Sequence, residues 1–216
     1  LFRSSISGFT VQGSGPDPDS GHAGIGIFQV DGCDISYNNL SGNAVGVGMA
    51  AASSNVISYN SFTGNVIGIG SDNDAGIGGA VTNGSTLNTI SNNAITSSGV
   101  FGMYIAENCH DNDIYDNIIT LSGETGLYLW KSSTNEIYNN EISNNTVDGI
   151  HLMGSFDNNI YQNTITSNAS GFEIRSGVIA STNNSINSND ISSNTNYGIK
   201  ADENDDNLID ATYNFW

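Results

Sequence analysis

The sequence predicts an all-β fold: a single-stranded right-handed parallel β-helix of about nine coils. Three observations carry that prediction. They are the residue composition, a repeat of 22–24 residues, and apolar runs too short to make helices.

The 216 residues include 32 Asn, 29 Ser and 26 Gly beside 25 Ile, with only 2 Pro. A β-branched residue mixed with turn formers in these amounts describes many short strands joined by tight corners. Lys+Arg number 4 against 22 Asp+Glu, a formal charge of −18. Nucleic-acid binding is excluded on that ground, because nothing could replace phosphate counterions. An anionic membrane surface would repel the chain for the same reason. Charged residues make up only 12%, which excludes a disordered acidic tail. No apolar run approaches the ~20 residues of a membrane span, so no membrane insertion is expected. The length suits one domain, residues 1–216. The chain opens at Leu1 inside the strand pattern and stops at Trp216 without a polar tail, as expected of a fragment or processed piece of a longer chain.

The repeat reads N-x-I-x-x-N-x-I, as in Asn135-Glu136-Ile137-Tyr138-Asn139-Asn140-Glu141-Ile142. Its copies begin at Ser4, Cys33, Asn55, Asn88, Asn112, Asn135, Asn158, Asn184 and Asn207, and the three longest intervals carry insertions. Each copy supplies three alternating runs: one around Ile137, one around Ile142, and Gly149-Ile150-His151-Leu152. Leucine-rich repeats would need a Leu-x-x-Leu-x-Leu frame, which is absent, and propeller blades would need ~40 residues per repeat. A β-helix remains, one repeat to a coil, rising ~4.8 Å per coil to a rod of roughly 40 Å.

The first strand then contributes a column of Ile57, Ile90, Ile114, Ile137 and Ile160 to the interior, and the second a column of Leu40, Phe62, Ile95, Ile119 and Ile142. The third contributes Val47, Ile69, Met103, Leu127, Ile150 and Phe172. At the sixth repeat position Asn38, Asn60, Asn93, Asn117, Asn140, Asn163 and Asn189 are expected to form a hydrogen-bonded ladder, each adopting the left-handed backbone of a corner. The Gly opening the third strand is expected to act as a turn residue.

The outward positions of the third strand depart from the Ser, Thr and Asn that fill other outward positions. Coil by coil they read Gly48 and Ala50, Gly70 and Asp72, Tyr104 and Ala106, Tyr128 and Trp130, His151 and Met153, Glu173 and Arg175, and Lys200 and Asp202. An aromatic row at the ~4.8 Å coil spacing matches a pyranose chain, since ring faces cover the apolar side of a sugar. Tyr104, Tyr128, Trp130 and His151 are therefore the candidate carbohydrate-binding platform, with Glu173 and Arg175 at its edge as an exposed ion pair. Asp148, His151, Glu173 and Arg175 are also the candidate catalytic set, because they can meet on adjacent coils. Two insertions contain D-x-D-x-G, at Asp17 and Asp19 and at Asp72 and Asp74, the opening of a calcium loop without its remaining ligands. Calcium is the one cofactor these residues point to.

The repeat, and the ending Asn207-Leu208-Ile209-Asp210-Ala211-Thr212-Tyr213-Asn214-Phe215-Trp216, resemble the NosD-like and "carbohydrate-binding and sugar hydrolase" (CASH) domains of archaeal and bacterial surface proteins. That resemblance implies an extracellular or cell-surface location, with a glycan or neighbouring surface domains as partners. It implies two uses: a non-catalytic carbohydrate-binding or adhesive stalk module, or a polysaccharide lyase, hydrolase or epimerase acting on the third-strand face. The open ends of a β-helix expose strand edges, which adds a third expectation, a filament subunit that self-associates end to end. Copper delivery does not fit, because His22, His110 and His151 fall at unrelated repeat positions. Cys33 and Cys109 lie more than two coils apart, beyond disulfide reach, and are expected as free thiols.

Overall fold

The computed structural model describes residues 4–15, 22–72, 84–202 and 209–216, and these form a right-handed parallel β-helix. Three parallel sheets run its length. The first has eight strands, from Ser5–Ser7 to Ser185–Asn187, and the second has seven, from Thr10–Gln12 to Thr164–Thr166. The third has eight, from Ala23–Phe28 to Tyr197–Ala201. Each coil lends one strand to each sheet, as with Glu136–Tyr138, Glu141–Ser143 and Asp148–Met153. About seven turns are complete rather than nine. The last two repeats contribute partial coils, with Asp190, Asp210 and Phe215 joined only by isolated bridges.

Register follows the repeat. Ile57, Ile90, Ile114, Ile137, Ile160 and Ile186 pair in sequence along the first sheet, and all are buried. The second and third columns fill the interior in the same way. Burying one such aliphatic side chain is worth about 1.5–3 kcal/mol, against about 1–2 kcal/mol to fix its backbone. The stack of identical residues is what makes the fold affordable with 3-residue strands.

The corners differ from expectation in two ways. The left-handed residue is the one before the ladder Asn: Asn139 has φ 55°, Gln162 56° and Asp116 53°. The ladder Asn itself turns inward and carries hydrogen bonds. There are also three ladders, one at every corner. In one coil the pairs are Thr134 and Asn135, Asn139 and Asn140, and Asn144 and Asn145, the first of each at positive φ and the second buried. Asn140 shows the pattern. Its Oδ1 accepts from the backbone N–H and the Nδ2 of Asn117, and its Nδ2 donates to Asn163 Oδ1 and to the carbonyls of Ile114 and Tyr138. A buried amide with every group engaged is stable where an unsatisfied one is costly. The third ladder is interrupted at Ser98 and Ser122, whose hydroxyls are buried without partners.

The Gly of the third strand is not a turn residue. Gly149 lies inside Asp148–Met153, and a Cβ there would collide with Ile165 Cγ2 and stand 2.8 Å from the Gly171 carbonyl. Its role is to let successive coils approach.

Cys33 and Cys109 form no disulfide with each other; Cys109 is buried, with Sγ 3.3 Å from Ser71 Oγ, and Cys33 is half-buried. Among the described residues no helix is long and apolar enough to cross a membrane.

Candidate functional site

The third sheet brings its outward residues into columns. Tyr104, Tyr128, His151, Glu173 and Lys200 pair in register, and beside them run Ala106, Trp130, Met153 and Arg175. Period-2 alternation and one-repeat-one-coil stacking produce both columns.

The aromatic part is a contiguous cluster. Tyr104 and Trp130 stack at 6.5 Å, Tyr104 and Tyr128 lie 5.5 Å apart, and Tyr128 meets the His151 ring at 4.7 Å. All three aromatic side chains are half-buried, each with part of its surface open. Lys131 Nζ sits 4.3 Å from the Trp130 ring centroid and 3.5 Å from Glu107 Oε1, so an ion pair holds a cation on the indole. The Tyr128 hydroxyl donates to Met153 Sδ at 3.1 Å, and burial pushes that phenol above its ordinary pKa. Ala50 and Ala106, outward positions in the repeat frame, are buried. Trp130 is in register with Ala106 and stacks on Tyr104 of the same strand as Ala106.

Sequence reasoning missed two parts of this face. Phe101 stacks on Tyr104 at 5.5 Å and meets Tyr128 edge-on at 5.1 Å. It precedes Gly102, and a strand frame begun at the Gly leaves it out. The segment after Arg175 places Val178 at the surface, 98% exposed, and a Cβ on Gly177 would lie 3.6 Å from Met153 Cε. The 26-residue interval from Asn158 to Asn184 was the available signal, since it holds three residues more than its neighbours.

Asp148, His151, Glu173 and Arg175 do meet. His151 Nδ1 is 3.2 Å from Asp148 Oδ2 and 3.9 Å from Glu173 Oε2. Glu173 Oε1 receives Arg175 at 2.6 Å and Lys200 at 2.7 Å. Glu173 is thus a buried hub, 5% exposed, and not half of an exposed pair. Burial alone would raise its pKa. Hydrogen bonds from Lys200 and Arg175, with a further one involving Asp148, outweigh burial and hold the carboxyl at about 2. Asp148 is 1% exposed, and its Oδ1 has no hydrogen-bond partner; neither has His151 Nε2. These groups and Tyr128 line a cleft of about 280 Å³ with Phe101 at its other side. Among the described residues, Asp148, His151 and Glu173 form the one three-residue cluster with metal-ligand spacing.

Asp17, Asp19 and Asp74 lie outside the described residues, as does the side chain of Asp72, whose backbone ends the strand Ile67–Asp72. His110 pairs with Asp111 at 2.7 Å on an exposed corner, away from His151.

Residues 69–212 match the family described as "right handed beta helix region". The chain belongs to that family. No curated protein matches the sequence. Among solved structures, a double mutant of the periplasmic alginate epimerase AlgG is similar over 90% of this chain and 47% of its own, with TM-score 0.72 and 15% identity. The Azotobacter vinelandii mannuronan C-5 epimerase AlgE6 A-module is similar over 98% and 56%, with TM-score 0.65 and 13% identity. The Dettilon tailspike protein is similar over 87% and 54%, with TM-score 0.54 and 15% identity. The chain spans about half the length of these proteins, and at such identity the likeness is one of fold.

Proposed function

We propose that this chain is a surface-exposed glycan-binding β-helix module, and that the outward face of its third sheet is the binding surface. The observation that carries the reading is the half-open cluster of Phe101, Tyr104, Tyr128 and Trp130 on consecutive coils. Stacked rings at coil spacing offer successive sugar units an apolar seat with polar edges beside it. The partly exposed Arg175 guanidinium supplies donors at one end, and Met153 continues the apolar seat along the other column. The cations of the face are already engaged by carboxylates: Lys131 by Glu107, and Arg175 with Lys200 by Glu173, with Asp148 as a second carboxylate beside them. An uncharged saccharide is therefore favoured over a polyanion. That the solved neighbours of this fold include epimerases of alginate and mannuronan supports a glycan partner, and the periplasmic one supports a location outside the cytoplasm.

A glycan array probed with the purified chain, followed by titration of the hits, tests this. Trp130→Ala is expected to weaken binding by about 1–2 kcal/mol, the scale of one lost aromatic contact. Binding that survives Trp130→Ala and Tyr104→Ala together rules the platform out.

A second reading, a polysaccharide-active enzyme, draws on one observation: the His151–Asp148 hydrogen bond beside Glu173 in the cleft next to the aromatics. There His151, oriented by Asp148, would be the base. Incubating array hits with the chain and following new reducing ends, unsaturated sugars or C-5 inversion by NMR separates the two readings.

A further inference from the structure

The aromatic face accounts for Tyr128 and Trp130, but it gives no reason for a buried Asp148. Buried carboxylates are rare without a matching charge. Glu173 has its match, since both cations converge on Oε1. That leaves Oε2 facing His151 Nδ1 at 3.9 Å, on the side where Asp148 approaches. Asp148 has a single ion-pair partner, the His151 imidazole at 3.2 Å, and its Oδ1 is buried without any hydrogen bond. Two buried carboxylates side by side do not both stay charged and bare; something positive must stand between them. A proton shared between the two carboxyls would serve, but it would not call for an imidazole on the same spot.

One atom each from Asp148, His151 and Glu173 lies within 4.8 Å of the other two. Ligands about 2.0–2.2 Å from one ion stand no farther apart than that. We propose that these three residues bind one divalent transition-metal ion, with zinc as the representative. Two carboxylates with an imidazole suit a borderline ion such as zinc or manganese, whereas calcium takes oxygen ligands alone. The cleft of about 280 Å³ bordered by Phe101 and Tyr128 gives the ion a path and leaves a coordination position open toward the aromatic face. Lys200 and Arg175 then act as an outer shell that fixes the Glu173 carboxylate. The inference does not depend on the face taking a sugar.

Calorimetric titration of the metal-stripped, unmodified chain with zinc chloride is expected to show one saturable site, with calcium chloride binding there more weakly. Asp148→Asn keeps the shape of the side chain, and His151→Gln keeps a polar group; each is expected to lower zinc affinity by roughly 100-fold or more, since even outer-shell changes cost 10–100-fold. An anomalous difference map at the zinc edge, from crystals of the unmodified chain, should place the ion between the three side chains. That second measurement holds even if a variant fails to fold. The absence of a saturable site, uptake unchanged in both variants, or density elsewhere, as at His110 and Asp111, overturns the proposal.

Discussion

The corners of this β-helix and the outward face of its third sheet arise from one repeat, yet they treat polar groups in opposite ways. At the corners, Asn amides are buried with almost every donor and acceptor engaged, and each coil repeats its neighbour. On the face, no two adjacent coils carry the same pair of residues, and Asp148 Oδ1 and His151 Nε2 are left buried and unmatched. Repetition satisfies polar groups cheaply, because every coil supplies its neighbour with the partner it needs. Where repetition stops, polar groups are left over, and in a stable scaffold leftover groups of this kind mark the place for a ligand.

The largest expected effect breaks a corner. Asn140→Ala strips acceptors from the Asn117 backbone N–H and Nδ2, and donors from the Ile114 and Tyr138 carbonyls. A loss of about 3–5 kcal/mol is expected, read as a shift in the urea midpoint, because several buried groups lose partners at once. A loss below 1 kcal/mol would mean the ladder is a geometric accompaniment of the fold and not one of its supports.

Next comes the charged hub of the face. The Glu173 carboxyl is held at about 2, below its ordinary 4.5, so the fold favours the ionised form. The stability this provides is complete above pH 4.5 and is lost as pH falls toward 2. Its size is on the order of 2 kcal/mol, since Arg175 and Lys200 are themselves partly solvated. Glu173→Gln should remove that amount at pH 7 and flatten the acid limb of a stability–pH curve. An unchanged acid limb would show that the hub adds no stability.

The interrupted ladder offers a repair. Ser122→Asn gives Ser98 an amide acceptor and reaches Asn145 Oδ1, which already accepts from the Ser122 backbone N–H at 2.9 Å. A gain of about 1 kcal/mol is expected, and a thermal melt will read it as a higher Tm. If the variant is destabilised, the site lacks room for the longer side chain, and Gly102 and Gly126 are the first places to look for the clash.

The smallest effect on stability belongs to the platform. Trp130→Ala removes a half-buried ring and its contacts with Tyr104 and Lys131, for an expected cost under about 1.5 kcal/mol. A cost as large as that of the corner variant would make Trp130 a structural residue and take the central ring out of the proposed binding surface.

Much of this was legible in the sequence. The N-x-I-x-x-N-x-I frame placed Ile137 and Ile142 in the core and Asn140 in a ladder, because a coil must match the coil above and below. It also set the register of Tyr104, Tyr128, His151 and Glu173, since alternation within a strand and one coil per repeat leave no other pairing. The frame was silent wherever a residue's role depends on something outside its own column. The left-handed conformation of Asn139 in place of Asn140, the close approach at Gly149, and the position of Phe101 against two tyrosines come from how the chain bends between strands. Glu173 illustrates the limit best. In sequence it stands two residues from Arg175 and reads as a surface pair. In the fold, Lys200 arrives from the next coil, and Asp148 and His151 from the one before. Their combined cover and charge turn it into a buried hub, because burial and electrostatics are properties of the assembled neighbourhood and not of the strand that carries the residue.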